Sequence, residues 1–334
     1  TGAQIQSIER IRDTFLDYQV RGENAILGKY DMRNNFLYEI ESIFNEPSTT
    51  GISSLVSKFY DSFQELSKQP NSSNTRTVAA QQTLALTDSL NSTYKQLDSL
   101  KTNVQDMLKS NVTDISSLLK QLDTLNQEII TVTVSGNTPN DLMDKRDNLL
   151  DELSGKFEIT VENDKFNGII VKPKDSGSMR ASTLINSSPN KEISTFSYVT
   201  AVEKDATDLS GSTYIVTYYK NGDMSNEKNK ETLTIAGMDE TKAKEILDNR
   251  IIWADNSGQA AKSDGFRIKS TQVINYEQLM MFKTNSGNVG GLVSVQKDIE
   301  DYMTQLNKLA KSIALSVNAI HSQSQNAEND DLPL

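Results

Sequence analysis

Between Ile52 and Ser135 the chain contains no glycine, and between Pro70 and Pro139 no proline, so nothing in that stretch interrupts a helix. Leu97, Leu100, Val104, Leu108, Val112, Ile115, Leu118, Leu122, Leu125, Ile129 and Val132 follow one another at steps of three and four, with an extra step of four between Val104 and Val112. This is one apolar stripe with a stutter, and the remaining faces are Ser, Thr, Asn, Gln, Asp and Lys. A helix from about Asn74 to Val134 is roughly 90 Å long at the ~1.5 Å rise per residue. Its narrow stripe can be buried only by other helices running beside it.

Those partners are legible at both chain ends. Leu292, Val295, Ile299, Tyr302, Leu306, Leu309, Ile313, Val317 and Ile320 form a second stripe of the same period. Toward the N-terminus Phe15, Ile26, Phe36, Leu37, Ile40, Ile43 and Phe44 mark a third helix, stopped by Asn45-Glu46-Pro47, and Ile52, Leu55, Val56, Phe59, Phe63 and Leu66 mark a short fourth. The bundle is therefore discontinuous in sequence.

In between, the period changes. Gly136-Asn137-Thr138-Pro139 breaks the long helix, and Thr138 is placed to cap a new one with Pro139 at its first position and Asp141 three after the cap, running to Leu153 and Gly155. Phe157, Ile159 and Val161 alternate with polar residues, Asn163-Asp164 offers a turn, and Ile169 to Val171 returns as a hairpin. Further strand signals lie at Phe196 to Val202, Tyr214 to Tyr219 leading into a hairpin turn at Asn221-Gly222, Leu233 to Ile235 and Phe266 to Ile268, with one helix from Asp239 to about Trp253. The expected fold is multidomain and mainly α. A discontinuous, elongated helical rod comprises 1–174 and 273–325 with a β-hairpin near 157–172. An α+β domain is inserted at 175–272, and 326–334 form a disordered tail.

Composition supports narrow cores: the apolar fraction of 36% reaches only about 41% with glycine included, below the ~45–50% of ordinary domains. A net charge of −11, from 34 Lys and Arg against 45 Asp and Glu, argues against a nucleic-acid surface. No apolar run approaches the ~18 residues of a membrane span, and Thr1-Gly2-Ala3-Gln4 does not begin a Sec-type signal. Lacking an initiating Met, the sequence reads as a segment of a longer protein.

Catalytic constellations are hard to assemble here. There is no cysteine, and the one histidine, His321, reads as a solvated helix-end residue. The cluster Gly287-Asn288-Val289-Gly290-Gly291 precedes a helix but lacks the Lys-Ser/Thr of a phosphate loop, and reads as a flexible approach to that helix. Asp141, Asp144, Asp147, Asp151 and Glu152, interleaved with Lys145 and Arg146, read as helix-start acids and ion pairs, with a hard-cation site as the alternative. No enzyme activity, cofactor or metal is expected.

Specific residues go further than the pattern. The segment Pro139 to Ser154, PNDLMDKRDNLLDELS, resembles a signature of the hook-associated protein 1 family, the first hook–filament junction proteins of bacterial flagella. Its structural motif positions are Pro139, Asn140, Asp141, Leu142, Arg146, Asp147, Leu150, Leu153 and Ser154. Ile40 to Pro70, with the Asn45-Glu46-Pro47 turn, is similar to the same family, as are Arg10 to Arg21, Gly291 to Asp298 and Asp301 to Gln323. Lys297 stands where the family tends to have Arg, and the family's extreme terminal helices are not in this sequence.

The resemblance implies a structural subunit of the flagellum, exported unfolded through the type III apparatus without a cleaved signal and located outside the cell. Implied partners are the hook protein, the second junction protein (hook-associated protein 3), other copies in a ring when full length, and a dedicated export chaperone acting through the missing C-terminal segment. This chain, without its terminal helices, is expected to be a monomer with neither nucleic acid nor membrane as partner. The alternatives are another axial protein of flagellin or hook-associated protein 3 type, a helical adaptor unrelated to flagella, or an enzyme without candidate residues.

Overall fold

The computed structural model describes residues 13–175, 177, 179–188, 195–269 and 272–322. Four helices come first: α1 (Thr14–Phe44), α2 (Ile52–Lys68), α3 (Ser73–Val134) and α4 (Asn140–Lys156). A hairpin of β1 (Ile159–Asn163) and β2 (Ile169–Pro173) follows. Next come β3 (Thr195–Lys204), β4 (Tyr214–Tyr219), β5 (Lys230–Ala236), α5 (Glu240–Asn249), β6 (Ile251–Ala254) and β7 (Val273–Asn275), before α6 (Gly287–Ser322) closes the described chain. The fold is mainly helical, with an α+β part inserted between helices, as the sequence implied. The disordered tail expected at 326–334 and the side chain of His321 lie outside the described residues.

The unbroken helix expected from about Asn74 is α3, and its 62 residues run about 93 Å at ~1.5 Å each. Its stripe is the core of whatever lies beside it: Leu97, Val104, Leu108, Val112, Ile115, Leu122 and Ile129 are fully buried, while Leu125 and Val132 are only half-buried. The chain divides into two compact units, one comprising Thr1–Arg33 and Asp106–Ser294, the other Asn34–Gln105 and Val295–Leu334. The division cuts α1, α3 and α6 rather than the ends of the inserted sheet.

In the second unit α1, α2, α3 and α6 bury Phe36, Ile40, Ile52, Phe59, Leu86, Leu97, Val104, Val295, Ile299 and Leu306. Lys101 on α3 pairs with Glu300 on α6 at 2.6 Å, and Phe44 packs on Tyr302 with ring centroids 5.4 Å apart. The α6 stripe departs from its expected residues: Met303 is buried, whereas Tyr302 and Leu309 are both 37% exposed. On α1 the expected Phe15 and Ile26 are exposed, and Arg21 and Ala25 take the buried face. A helix apolar on both sides does not reveal by periodicity which side meets the core.

The first unit holds the sheet, ordered β6-β3-β4-β5-β7, antiparallel except for the β5–β7 pair. One face packs α5 through Val199, Val216, Leu233, Ile235 and Ile246. Phe157, Phe196, Trp253 and Phe282 form a second, aromatic cluster with centroids 4.1 to 5.8 Å apart. The strand β7 begins at Val273, one residue past the expected end of the insert at Gln272.

Four local expectations are corrected. The α5 helix stops at Asn249, where Arg250 turns left-handed at φ 58°, and Ile251-Ile252-Trp253 becomes β6 because those residues complete the sheet beside β3. Phe266 to Ile268 is no strand, contributing one bridge from Ala261 to Arg267. Asn221-Gly222 is not a tight hairpin turn but opens the longer connection between β4 and β5. Gly222, at φ 72°, presses against α3, where a Cβ would lie 2.9 Å from Thr113 Oγ1. Finally, Thr138 does not cap α4: Pro139 is the buried N-cap, and Thr138 offers only its carbonyl to Asn140 N–H at 3.1 Å.

Candidate functional site: a polar clamp on the fourth helix

The residues of α4 sort by chemistry. Arg146, Asp147, Leu150, Leu153 and Ser154 are buried, whereas Asp141 and Asp144 are exposed. Leucines facing the core need no further account, but two buried charges do, because an unpaired buried ion costs several kcal/mol, on the order of the desolvation penalty.

Asp147 receives Arg21 Nη2 from α1 at 3.3 Å, and the same guanidinium donates through Nε to Asp151 at 2.8 Å. One arginine thus bridges two carboxylates a helical turn apart, which is why the acidic run is spaced by four here. Arg146 points the other way. Its Nη1 donates to Asn126 Oδ1 on α3 (3.2 Å) and to the carbonyl of Asn167 in the hairpin turn (2.7 Å).

Asn126 is fully buried and completes the clamp. Its Oδ1 also accepts from Ile169 N–H (3.0 Å), and its Nδ2 donates to the carbonyls of Ile169 and Asn186, both at 3.3 Å. Ser154 Oγ donates to Asp151 O at 2.6 Å and accepts from Asn24 Nδ2 at 3.4 Å. Two sets of polar contacts, one on each side of α4, therefore join it to α1 on one side and to α3 and the β-hairpin on the other. The ion pairs expected of the acidic helix are seen at Asp147 and Asp151, whose partner is Arg21 of α1; among the described residues no group of three or more His, Asp or Glu is placed to hold a metal ion.

The glycine cluster at the start of α6 is not a flexible approach. A Cβ on Gly287, at φ 64°, would sit 2.3 Å from the backbone of Lys156, and one on Gly291 would sit 2.7 Å from Lys29 O. A Cβ on Gly28 would meet Gly155 O at 2.5 Å, and the Asn288 amide, oriented as its acceptor neighbours require, donates from its nitrogen to the carbonyls of Gly28 (3.2 Å) and Gly155 (3.3 Å). The glycines let three backbones meet: α1, the end of α4 and the start of α6. Sequence reasoning missed this junction, although three glycines within five residues was its available signal.

The Asn45-Glu46-Pro47 turn belongs to the second unit. Asn45 ends α1 with φ 49°, and its Nδ2 donates to Thr50 Oγ1 at 3.3 Å. Glu46 accepts Ser53 N–H at 2.8 Å, putting a carboxylate on the first turn of α2, where the helix dipole favours it. A Cβ on Gly51 would lie 2.5 Å from the Glu46 carboxyl carbon, so a larger residue there would push the carboxylate from its place at the start of α2. Of the other motif positions, Leu142 is half-buried beside Met143, and Asn140 opens the helix.

Several turns hold their carboxylates below the ordinary range. Asp208 is held well below the usual carboxylate range by hydrogen bonds from Ser210 and Thr213, and Asp164, Asp205 and Asp223 are lowered for similar reasons. Burial pushes the Tyr198 and Tyr218 hydroxyls up to about 12. No described helix is long and apolar enough to cross a membrane.

Residues 37–251 match the family model for the flagellar hook-associated protein FlgK helical domain. Flagellar hook-associated protein 1 of Bacillus subtilis is 39% identical over 168 residues, covering 50% of this chain and 33% of the relative. The Salmonella typhimurium protein of the same name is 27% identical over 183 residues, covering 53% and 30%. The chain thus spans about a third of the length of these relatives. The structure of the flagellar hook junction protein FlgK from Burkholderia pseudomallei superposes with a TM-score of 0.58 at 18% identity over 94% of this chain and 45% of that one, a likeness of fold.

Proposed function

The chain belongs to the family of the flagellar hook-associated protein FlgK, and from that premise we propose that it is part of a structural subunit that joins hook to filament in the bacterial flagellum. The observation that carries the proposal is the family match over 37–251, which takes in α4 and the hairpin up to its clamp. A joint transmits load, and buried polar bonds between α1 and α4 and among α4, α3 and the hairpin resist relative movement of those elements better than apolar contact alone, because such bonds are directional.

On this reading the subunit works outside the cell and reaches its place by flagellar export, without a cleaved signal. Its neighbours are the hook protein, hook-associated protein 3 and further copies of itself, and a chaperone escorts it before export. The motif residues Asn45, Glu46, Pro47, Arg146, Asp147 and Ser154 serve by holding helices rather than by chemistry. The polar outward faces of α3 and the net charge of −11 favour a monomer for this chain in isolation.

Deleting the parent gene tests the proposal. Cells should carry hooks without filaments and shed flagellin into the medium, and restoring the gene should restore filaments. Normal filaments in the deletion strain would refute it.

A further inference from the structure

The β-hairpin has two outer edges, and they are treated differently. The register pairs Ile159 with Pro173, Val161 with Val171 and Asn163 with Ile169. The bonds from Lys174 N–H to Glu158 O (2.9 Å) and from Asp164 N–H to Gly168 O (2.8 Å) flank the ladder, so even-numbered residues of β1 bond inward. Odd-numbered residues on both strands therefore turn their backbone groups outward.

On β2 those groups are taken. Ile169 exchanges both of its bonds with the Asn126 amide; Val171 N–H donates to Ile185 O at 2.9 Å and Val171 O accepts from Leu184 N–H at 2.8 Å. On β1 the outward groups of Ile159, Val161 and Asn163 have no hydrogen-bond partner among the described residues. The same three residues line a cleft of about 390 Å³ between the hairpin and the first turns of α1. That is room for roughly three residues of extended chain, within the usual ~300–1,000 Å³ of a ligand cleft. Ile159 lies at the buried end, Asn163 at the exposed one.

The charges at the cleft choose the occupant. On its floor Arg21 is engaged by Asp147 and Asp151, and Arg146 by Asn126 and the Asn167 carbonyl. At its mouth stands the half-exposed Asp164. Asp164 accepts Lys165 N–H at 2.8 Å, which keeps it ionised. A second copy of this chain, at −11, brings the wrong overall sign. We propose that the free edge of β1 is a strand-addition site for an extended, positively charged segment of another protein, with main-chain bonds at Val161 and Asn163 and a cationic side chain at Asp164.

The test uses the whole chain and the peptide acetyl-Arg-Val-Thr-Val-Arg-amide, with binding followed by fluorescence anisotropy and amide exchange by NMR. Saturation should slow exchange at Val161 and Asn163 by about tenfold or more, and binding should weaken with salt. A peptide N-methylated at its central residue, and one with Glu for both Arg, should each bind about tenfold more weakly or worse. Val161→Pro removes one outward N–H at an edge position where proline is tolerated, and should abolish binding while the thermal melt is kept.

No binding by about 1 mM peptide would overturn the proposal, as would equal binding of the N-methylated or the Glu peptide. So would amides at Val161 and Asn163 that are already protected in the free chain, whether at all concentrations or only as the chain self-associates.

Discussion

Asn126→Ala is the sharpest probe of the clamp. The side chain makes four hydrogen bonds from a fully buried position: it accepts from Ile169 N–H and Arg146, and donates to the carbonyls of Ile169 and Asn186. Each such bond is worth about 1 kcal/mol net, and orphaning a buried partner costs ~1–3 kcal/mol. Arg146 keeps Asn167 O and the Asn186 carbonyl still receives Gln127 Nε2 at 3.4 Å, so the uncompensated losses fall on the two backbone groups of Ile169. The expected destabilisation is therefore about 3–5 kcal/mol. Trp253, the only tryptophan, lies in the same compact unit as Asn126, so its fluorescence during urea unfolding reports on that unit. The neighbouring Gln127→Ala, which removes only the 3.4 Å bond, is the control and should cost within about 1 kcal/mol. If Asn126→Ala moved the midpoint no further than that control, with the slope unchanged, the clamp would not hold the hairpin to α3.

Gly287→Ala should be far more damaging than Gly136→Ala, although both glycines have positive φ. A Cβ at 287 would strike the Lys156 backbone at 2.3 Å and one at 136 would meet nothing within 4 Å; comparative thermal melts check this. Glu46→Ala should cost about 1 kcal/mol through the first turn of α2, and Glu46→Gln, which keeps an acceptor for Ser53 N–H, should recover much of it in urea titrations. At high pH, Tyr198 and Tyr218 have folded values near 12 against 10 unfolded, so they contribute stability that is complete below about pH 10. That stability should be lost as pH rises toward 12, and Tyr218→Phe should flatten the decline seen by Trp253 fluorescence.

The sequence by itself determined the long helices, because a stripe at steps of three and four in a stretch without glycine or proline has one regular solution. It also determined that helical segments from both chain ends enclose an α+β segment, and its motif blocks pointed to the right family. It did not determine which side of α1 meets the core, since Phe15, Leu16, Ile26 and Leu27 are as apolar as Phe36 and Ile40, yet all four are exposed.

The candidate site was half legible. Its residues stood in one block, but Asp147 and Asp151 on one side and Arg146 on the other acquire meaning only from Arg21 and Asn126, which are 126 and 20 residues away in sequence. Likewise Ile251 to Ala254 is helix-compatible in isolation and becomes a strand because β3 offers it an edge. The glycines of α6 looked loose until α1 and the end of α4 were seen to fill the space where a Cβ would be. Periodicity is a local property and survives in the sequence. Partner choice for a buried charge, a strand edge or a backbone contact depends on distances between remote segments, and only the tertiary structure decides those.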